Sequence, residues 1–206
     1  MNSSFFPKWE ATLASVRTQQ IPADRQAILQ PVITYIQGKW ATQHVPQLHF
    51  ICTHNSRRSQ FSQIWAQALA FYFDVPLQCY SGGVEVTAMN ERAVTSLQRA
   101  GFQVSATGSG NPIYTFKVSD QHPDILAFSK LYDHPSNPTD QFAAVMTCSD
   151  ADENCPFIPG TETRLPVRYL DPKVADGTPN EEATYDARSL QIAAELWFVL
   201  ENALRK

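Results

Sequence analysis

A chain of 206 residues that is 43% apolar and 17% charged has the make-up of a folded globular protein, long enough for one domain of ordinary size with an added subdomain. A net charge of -4, with the basic residues dispersed, gives no footprint for nucleic acid. No apolar run approaches a membrane span, and Pro7, Lys8, Glu10 and Arg17 interrupt the region where a secretory leader would need an apolar core, so the expected location is the cytoplasm.

From about Phe5 to Trp40 the apolar residues recur at helical spacing, first Trp9, Leu13 and Val16, then Ile28, Val32, Tyr35 and Ile36, with Pro22-Ala23-Asp24 as the break. Residues 1–46 are therefore expected as a helical extension that packs on the core or forms a subunit contact, as in a homodimer. They carry no nucleophile or ligand cluster. Leu48-His49-Phe50-Ile51 reads as a strand, and Phe61, Ile64, Trp65, Ala68 and Tyr72 lie on one helical face after it. Pro76 to Tyr80 supplies a second strand, Ser81-Gly82-Gly83 a turn, and Asn90 to Ala100 a helix closed by Gly101. Ile113 to Val118 and Ile125 to Tyr132 alternate as a solvent-side β-hairpin, inserted at about 108–138. Phe142 to Thr147 is the fully apolar run expected of a parallel sheet, and Arg164 to Leu170 makes a fourth strand. Thr178-Pro179-Asn180-Glu181 is a capping box opening the last helix, with Leu190, Ala193, Ala194, Trp197 and Leu204 inward. The expected fold is α/β, with a four-stranded parallel sheet in a domain spanning 47–206.

Three places carry chemistry. Cys52-Thr53-His54-Asn55-Ser56-Arg57-Arg58-Ser59 sits between strand and helix, where backbone N–H groups can curl round a tetrahedral oxyanion while the Arg58 guanidinium grips it. A helix N-terminus and a guanidinium stabilise a thiolate, so Cys52 is expected as a nucleophile, with Ser56 and Ser59 able to donate to its sulfur. The plainer alternative is a small buried residue ending a strand, the reading adopted for Cys79. Cys148 and Cys155 follow the third expected strand, at the sheet edge where ligands bind. A zinc site lacks its four ligands and a static staple does not suit a reducing compartment, which leaves thiol-disulfide exchange. His122 and His134 have no partner at ligand spacing, so no metal is expected. Leu170-Asp171-Pro172 alone is an ordinary turn.

Cys52 to Ser59 resembles the phosphate loop of the low-molecular-weight protein tyrosine phosphatase superfamily: Cys, five residues, Arg, then Ser or Thr. Cys148 to Pro156 resembles the redox loop of the thioredoxin-coupled arsenate reductases on that fold, with two cysteines six residues apart, an acidic middle and Asn-Cys-Pro at the end. The resemblance covers roughly Leu48 to Thr107 and Phe142 onward. It implies that residues Thr53 to Ser59 bind the oxyanion, that Cys52 attacks arsenic, and that Asp171 acts as the acid. It further implies that Cys148 and Cys155 relay a disulfide to thioredoxin, with no bound cofactor. A phosphomonoester hydrolase working through a phosphocysteine, and a non-catalytic oxyanion or partner-binding module, are the other readings. His54 stands where these reductases usually have Gly, Arg57 where many have a further Cys, and Gln63 where those that bind potassium have an acidic ligand.

Overall fold

The computed structural model describes residues 5–149, 151 and 157–205. Strands β1 (Gln47–Cys52), β2 (Gln78–Gly83), β6 (Phe142–Met146) and β7 (Thr161–Pro166) form the expected four-stranded sheet, ordered β2-β1-β6-β7 with every pairing parallel. Parallel strands need crossovers, and α3 (Arg58–Tyr72) supplies the one between β1 and β2. Five of the six β1 residues and all of β6 are buried, because helices and loops cover both faces. Residues Cys52, Gly83 and Met146 consequently end their strands at one edge.

The Ser81-Gly82-Gly83 turn expected from sequence is instead strand, with Gly82 paired to Ile51 and Gly83 to Cys52. Those glycines serve close approach: a Cβ on Gly82 would meet Tyr132 Cα at 2.5 Å, and one on Gly83 would meet the Thr53 carbonyl oxygen at 2.7 Å. The fourth strand also lies earlier than Arg164 to Leu170.

The insertion is larger than a hairpin. Strands β3 (Gln103–Thr107), β4 (Ile113–Lys117) and β5 (Ile125–Ala127) make an antiparallel sheet, and β3 was not expected. Nor does it face solvent throughout, since Phe116, Ile125 and Ala127 join the main core, where Phe116 packs edge-on against Phe102. After Ala127 the chain leaves the sheet and crosses beneath the loop that follows β1.

Helices α1 (Pro7–Val16) and α2 (Ala23–Ala41) bury Trp9, Leu13 and Val16, and Leu29, Val32, Ile33 and Ile36, in the same core. Trp9 stacks towards Trp65 of α3, and Phe6 N–H donates to Val118 O, so the extension also touches the insertion. Ile28, one of the residues at helical spacing, is exposed. Helix α4 (Glu91–Arg99) is capped by the Asn90 side chain. Helix α5 (Glu181–Leu204) runs against α2, α3 and α4, with Leu204 exposed rather than inward. The capping box is displaced: Glu181 Oε2 accepts from Gly177 N at 2.6 Å, and Thr178 Oγ1 accepts from Asn180 N. Among the described residues no helix is long and apolar enough to cross a membrane.

Candidate active site

β1 delivers Cys52 to the sheet edge, where its sulfur is 3% exposed and Ser59 Oγ lies 3.0 Å away. The direction of that hydrogen bond follows from its neighbours. Asn55 Oδ1 accepts from the Lys130 backbone N–H at 3.0 Å, so the other end of the amide, Nδ2, donates to Ser59 Oγ at 2.9 Å. Ser59 Oγ thus accepts from Asn55 and still has its own proton to offer to Cys52 Sγ. Asn55 holds a left-handed φ of 46°, as a loop curling round an anion requires of one residue. Ser56 does not reach the sulfur; its hydroxyl donates to Ala88 O at 2.7 Å.

The two arginines diverge. Arg57 turns towards α5, where Nε donates to Tyr185 Oη at 2.9 Å and Nη2 lies 3.8 Å from Asp176. Burial pushes the Tyr185 phenol up to about 12, and its hydroxyl donates in turn to Asp176 Oδ1. The extra charge of Arg57 is thus answered locally. Arg58 forks onto the loop after β7, with Nη2 donating to Asp171 Oδ2 at 2.8 Å and Nη1 to Tyr169 O at 3.1 Å. Asp171 Oδ1 accepts from Lys173 N and caps the short 3₁₀ helix Pro172–Ala175. A polar cavity of about 450 Å³ opens alongside, lined by His54, Ser56, Arg57, Asn90, Arg92 and Lys173. His54 Nε2 lies at its rim, 3.2 Å from Glu85 Oε2.

Cys148 belongs to the same buried cluster as Cys52, with Ile51, Phe142 and Met146. Its sulfur is 3.5 Å from Thr53 Oγ1 and accepts from Ala151 N at 3.4 Å. Cys79 is buried inside β2, where burial raises its thiol far above the ordinary range and leaves it inert. Cys155 lies outside the described residues.

Sequence reasoning missed the scaffold beneath the loop. Gln60 Nε2 donates to Asn55 O and to Phe128 O, both at 2.9 Å, and Ser81 Oγ donates to Gln63 Oε1 at 2.5 Å. From the insertion, Ser129 Oγ donates to His54 O at 2.9 Å while Asn111 brackets the Ser129 backbone. Lys130 is buried, with its ammonium over the Phe128 ring and a pKa lowered by burial to about 8. His49, on β1, has neither ring nitrogen hydrogen-bonded; burial and then Lys130 lower its pKa to about 3. A polar residue in each apolar run was the available signal.

No family model matches the chain. Arsenate reductase 2 of Staphylococcus epidermidis is 33% identical over 125 residues, which cover 61% of this chain and 77% of that protein. An arsenate reductase of Staphylococcus aureus strain Newman is 31% identical over 149 residues, 72% of this chain and 92% of its own length. Among solved structures, a low-molecular-weight phosphotyrosine phosphatase from Vibrio cholerae O395 superposes on 78% of this chain and 97% of its own, with a TM-score of 0.51 at 13% identity, a likeness of fold.

Proposed function

The chain belongs to the arsenate reductase family, and on that premise we propose that it reduces arsenate to arsenite with Cys52 as nucleophile and Cys148 and Cys155 as the source of electrons. The Cys52 thiolate attacks arsenic(V) while the loop N–H groups and Arg58 hold the oxyanion; a sulfur–arsenic bond forms and one oxygen leaves as water. Asp171 supplies the proton for that oxygen. In the free protein the Asp171 carboxylate accepts from Arg58, so it is poised as an acceptor. An arriving oxyanion competes for the guanidinium, and the released carboxylate, now beside negative charge, takes up the proton it later gives.

The Cys148 thiolate then attacks Cys52 Sγ. A disulfide forms, the sulfur–arsenic bond breaks, and its electron pair leaves with arsenic as arsenite. Cys155 attacks Cys148 and frees the Cys52 thiolate, and a dithiol reductant, thioredoxin in this proposal, returns two electrons to the Cys148–Cys155 disulfide. The setting this requires is a reducing cytoplasm. The observation that carries the reading is that Cys148 shares the buried cluster of Cys52 and lies in hydrogen-bond reach of Thr53, the next residue after Cys52 in the chain. A hydrolase needs no second thiol there.

A phosphomonoesterase is the second reading, favoured by the 450 Å³ cavity beside the loop, which exceeds the needs of arsenate. Arsenate-dependent NADPH consumption, coupled through thioredoxin and thioredoxin reductase, separates the two. Turnover that disappears in Cys155→Ser supports the relay. Turnover that survives in Cys155→Ser rules it out, and no turnover with an aryl phosphate still cleaved through Cys52 makes the protein a phosphatase.

A further inference from the structure

The helical extension carries no nucleophile or ligand cluster, yet one of its side chains reaches the loop that carries Asp171. Arg25 sits in the first turn of α2. Its Nε donates to Glu195 Oε1 at 3.0 Å and its Nη2 to Glu195 Oε2 at 2.5 Å, a bidentate pair with a carboxylate of α5 that is only 2% exposed. The remaining arm, Nη1, donates to Arg168 O at 3.2 Å, and the guanidinium carbon lies 5.2 Å from the centre of the Tyr169 ring. Burial and the adjacent Glu195 carboxylate keep the Tyr169 phenol protonated well above its ordinary range. Tyr169 is anchored from below, where its N–H donates to Thr147 O, and its own carbonyl receives Arg58 Nη1.

We propose that Arg25 is a positioning residue for the reaction: through Glu195 and the Arg168–Tyr169 backbone it sets where the Tyr169 carbonyl and Asp171 meet Arg58. The proposal rests on the roles given above to Cys52, Arg58 and Asp171. Three features make the connection specific. Glu195 is also held by Gln191 Nε2 at 2.9 Å, so the carboxylate presents a fixed face to Arg25. The guanidinium fork uses separate donors for Glu195 and for Arg168 O, which an ammonium on a flexible stem does not reproduce. Leu170, between the anchored Tyr169 and Asp171, is 76% exposed, so nothing on its own side chain restrains the step from one to the other. Beyond Arg58 at 2.8 Å and Arg57 at 4.0 Å from its carboxylate, what holds Asp171 in place comes from the residues before it and from the 3₁₀ helix after it.

The test compares Arg25→Lys and Arg25→Ala in two backgrounds, the otherwise unsubstituted chain and Asp171→Asn, with kcat and KM for arsenate measured in the thioredoxin-coupled assay. A misplacement of about 1 Å at a reacting group lowers rates by up to about 10²-fold. We expect kcat to fall about tenfold in Arg25→Lys and towards a hundredfold in Arg25→Ala, with KM for arsenate changed less than threefold. In the Asp171→Asn background the same substitutions should lower kcat severalfold less, because of the two groups that Arg25 places only the Tyr169 carbonyl remains. Equal losses in both backgrounds, or an unchanged kcat in Arg25→Lys, would overturn the proposal. Arg25→Lys keeps a cation beside Glu195, so it remains informative where Arg25→Ala does not fold. No turnover by the unsubstituted chain overturns the reductase reading and Arg25's role with it; turnover with full additivity overturns Arg25's role alone.

Discussion

The helical extension and the inserted sheet each touch a different half of the candidate site by a different kind of contact. The extension meets the Asp171 side through a buried guanidinium–carboxylate pair, Arg25 with Glu195. The insertion meets the Cys52 side through neutral donors, namely Lys130 N–H to Asn55 Oδ1 and Ser129 Oγ to His54 O. A buried ion pair is interdependent, since either partner alone is an uncompensated charge. The neutral scaffold is redundant: Thr87 Oγ1 also donates to His54 O, and Gln60 also donates to Asn55 Oδ1. One half is therefore fastened at a single costly point and the other at several cheap ones.

That contrast can be broken at its costly end first. Arg25→Ala strands the Glu195 carboxylate and should lower unfolding free energy by about 3–5 kcal/mol in urea denaturation. A loss under 1 kcal/mol would mean that water reaches Glu195. On the other side, Asn55→Ala orphans the Lys130 N–H, at a cost of about 1–3 kcal/mol, and forces alanine into a left-handed conformation for about 1 kcal/mol more. It also frees the Ser59 hydroxyl, so iodoacetamide should modify Cys52 more slowly at pH 7. An unchanged rate would deny the Asn55–Ser59 hydrogen bond a part in the reactivity of Cys52.

Titration sharpens the same comparison. The neutral hydrogen bonds of the insertion do not titrate, but His49, which feels Lys130, does. Unfolded His49 binds its proton near pH 6.5, whereas in the fold it stays neutral down to about 3. The unfolded chain then holds more protons between those values, so stability is intact above pH 6.5 and falls as the pH drops through the window. The slope is up to about 1.4 kcal/mol per pH unit. Urea midpoints across pH 4–7 should flatten in His49→Phe, and an unaltered slope would place the acid sensitivity elsewhere. Ser129→Ala should cost about 1–3 kcal/mol, because Thr87 Oγ1 still serves His54 O but the Thr87 N–H loses Ser129 Oγ as its acceptor.

The four-stranded sheet was legible because parallel strands buried on both faces are written as short apolar runs, Phe142 to Met146 above all. The loop from Cys52 to Ser59 was legible because its chemistry is local, with all eight residues adjacent in the chain. Strand β3 was not, since Val104 is its one partly buried residue and no alternation marks it. Gly82 and Gly83 read as a turn because a demand for close approach looks the same in one dimension as a demand for positive φ. Arg25 and Glu195 are 170 positions apart, each an unremarkable charge in its own helix, and no local pattern announces that they meet. Ser129 and Lys130 fall within the expected hairpin strand Ile125 to Tyr132, whereas the strand ends at Ala127 and both residues are buried.

The 1% exposure of Cys148 bears on timing as well as on chemistry. A sulfur so enclosed meets an external thiol only after the fold parts around it, so opening becomes a first-order step ahead of any bimolecular one. Oxidised Cys148 should then react with small thiols at a rate that stops rising with their concentration. The plateau is the opening rate, and it sets how long small thiols are shut out.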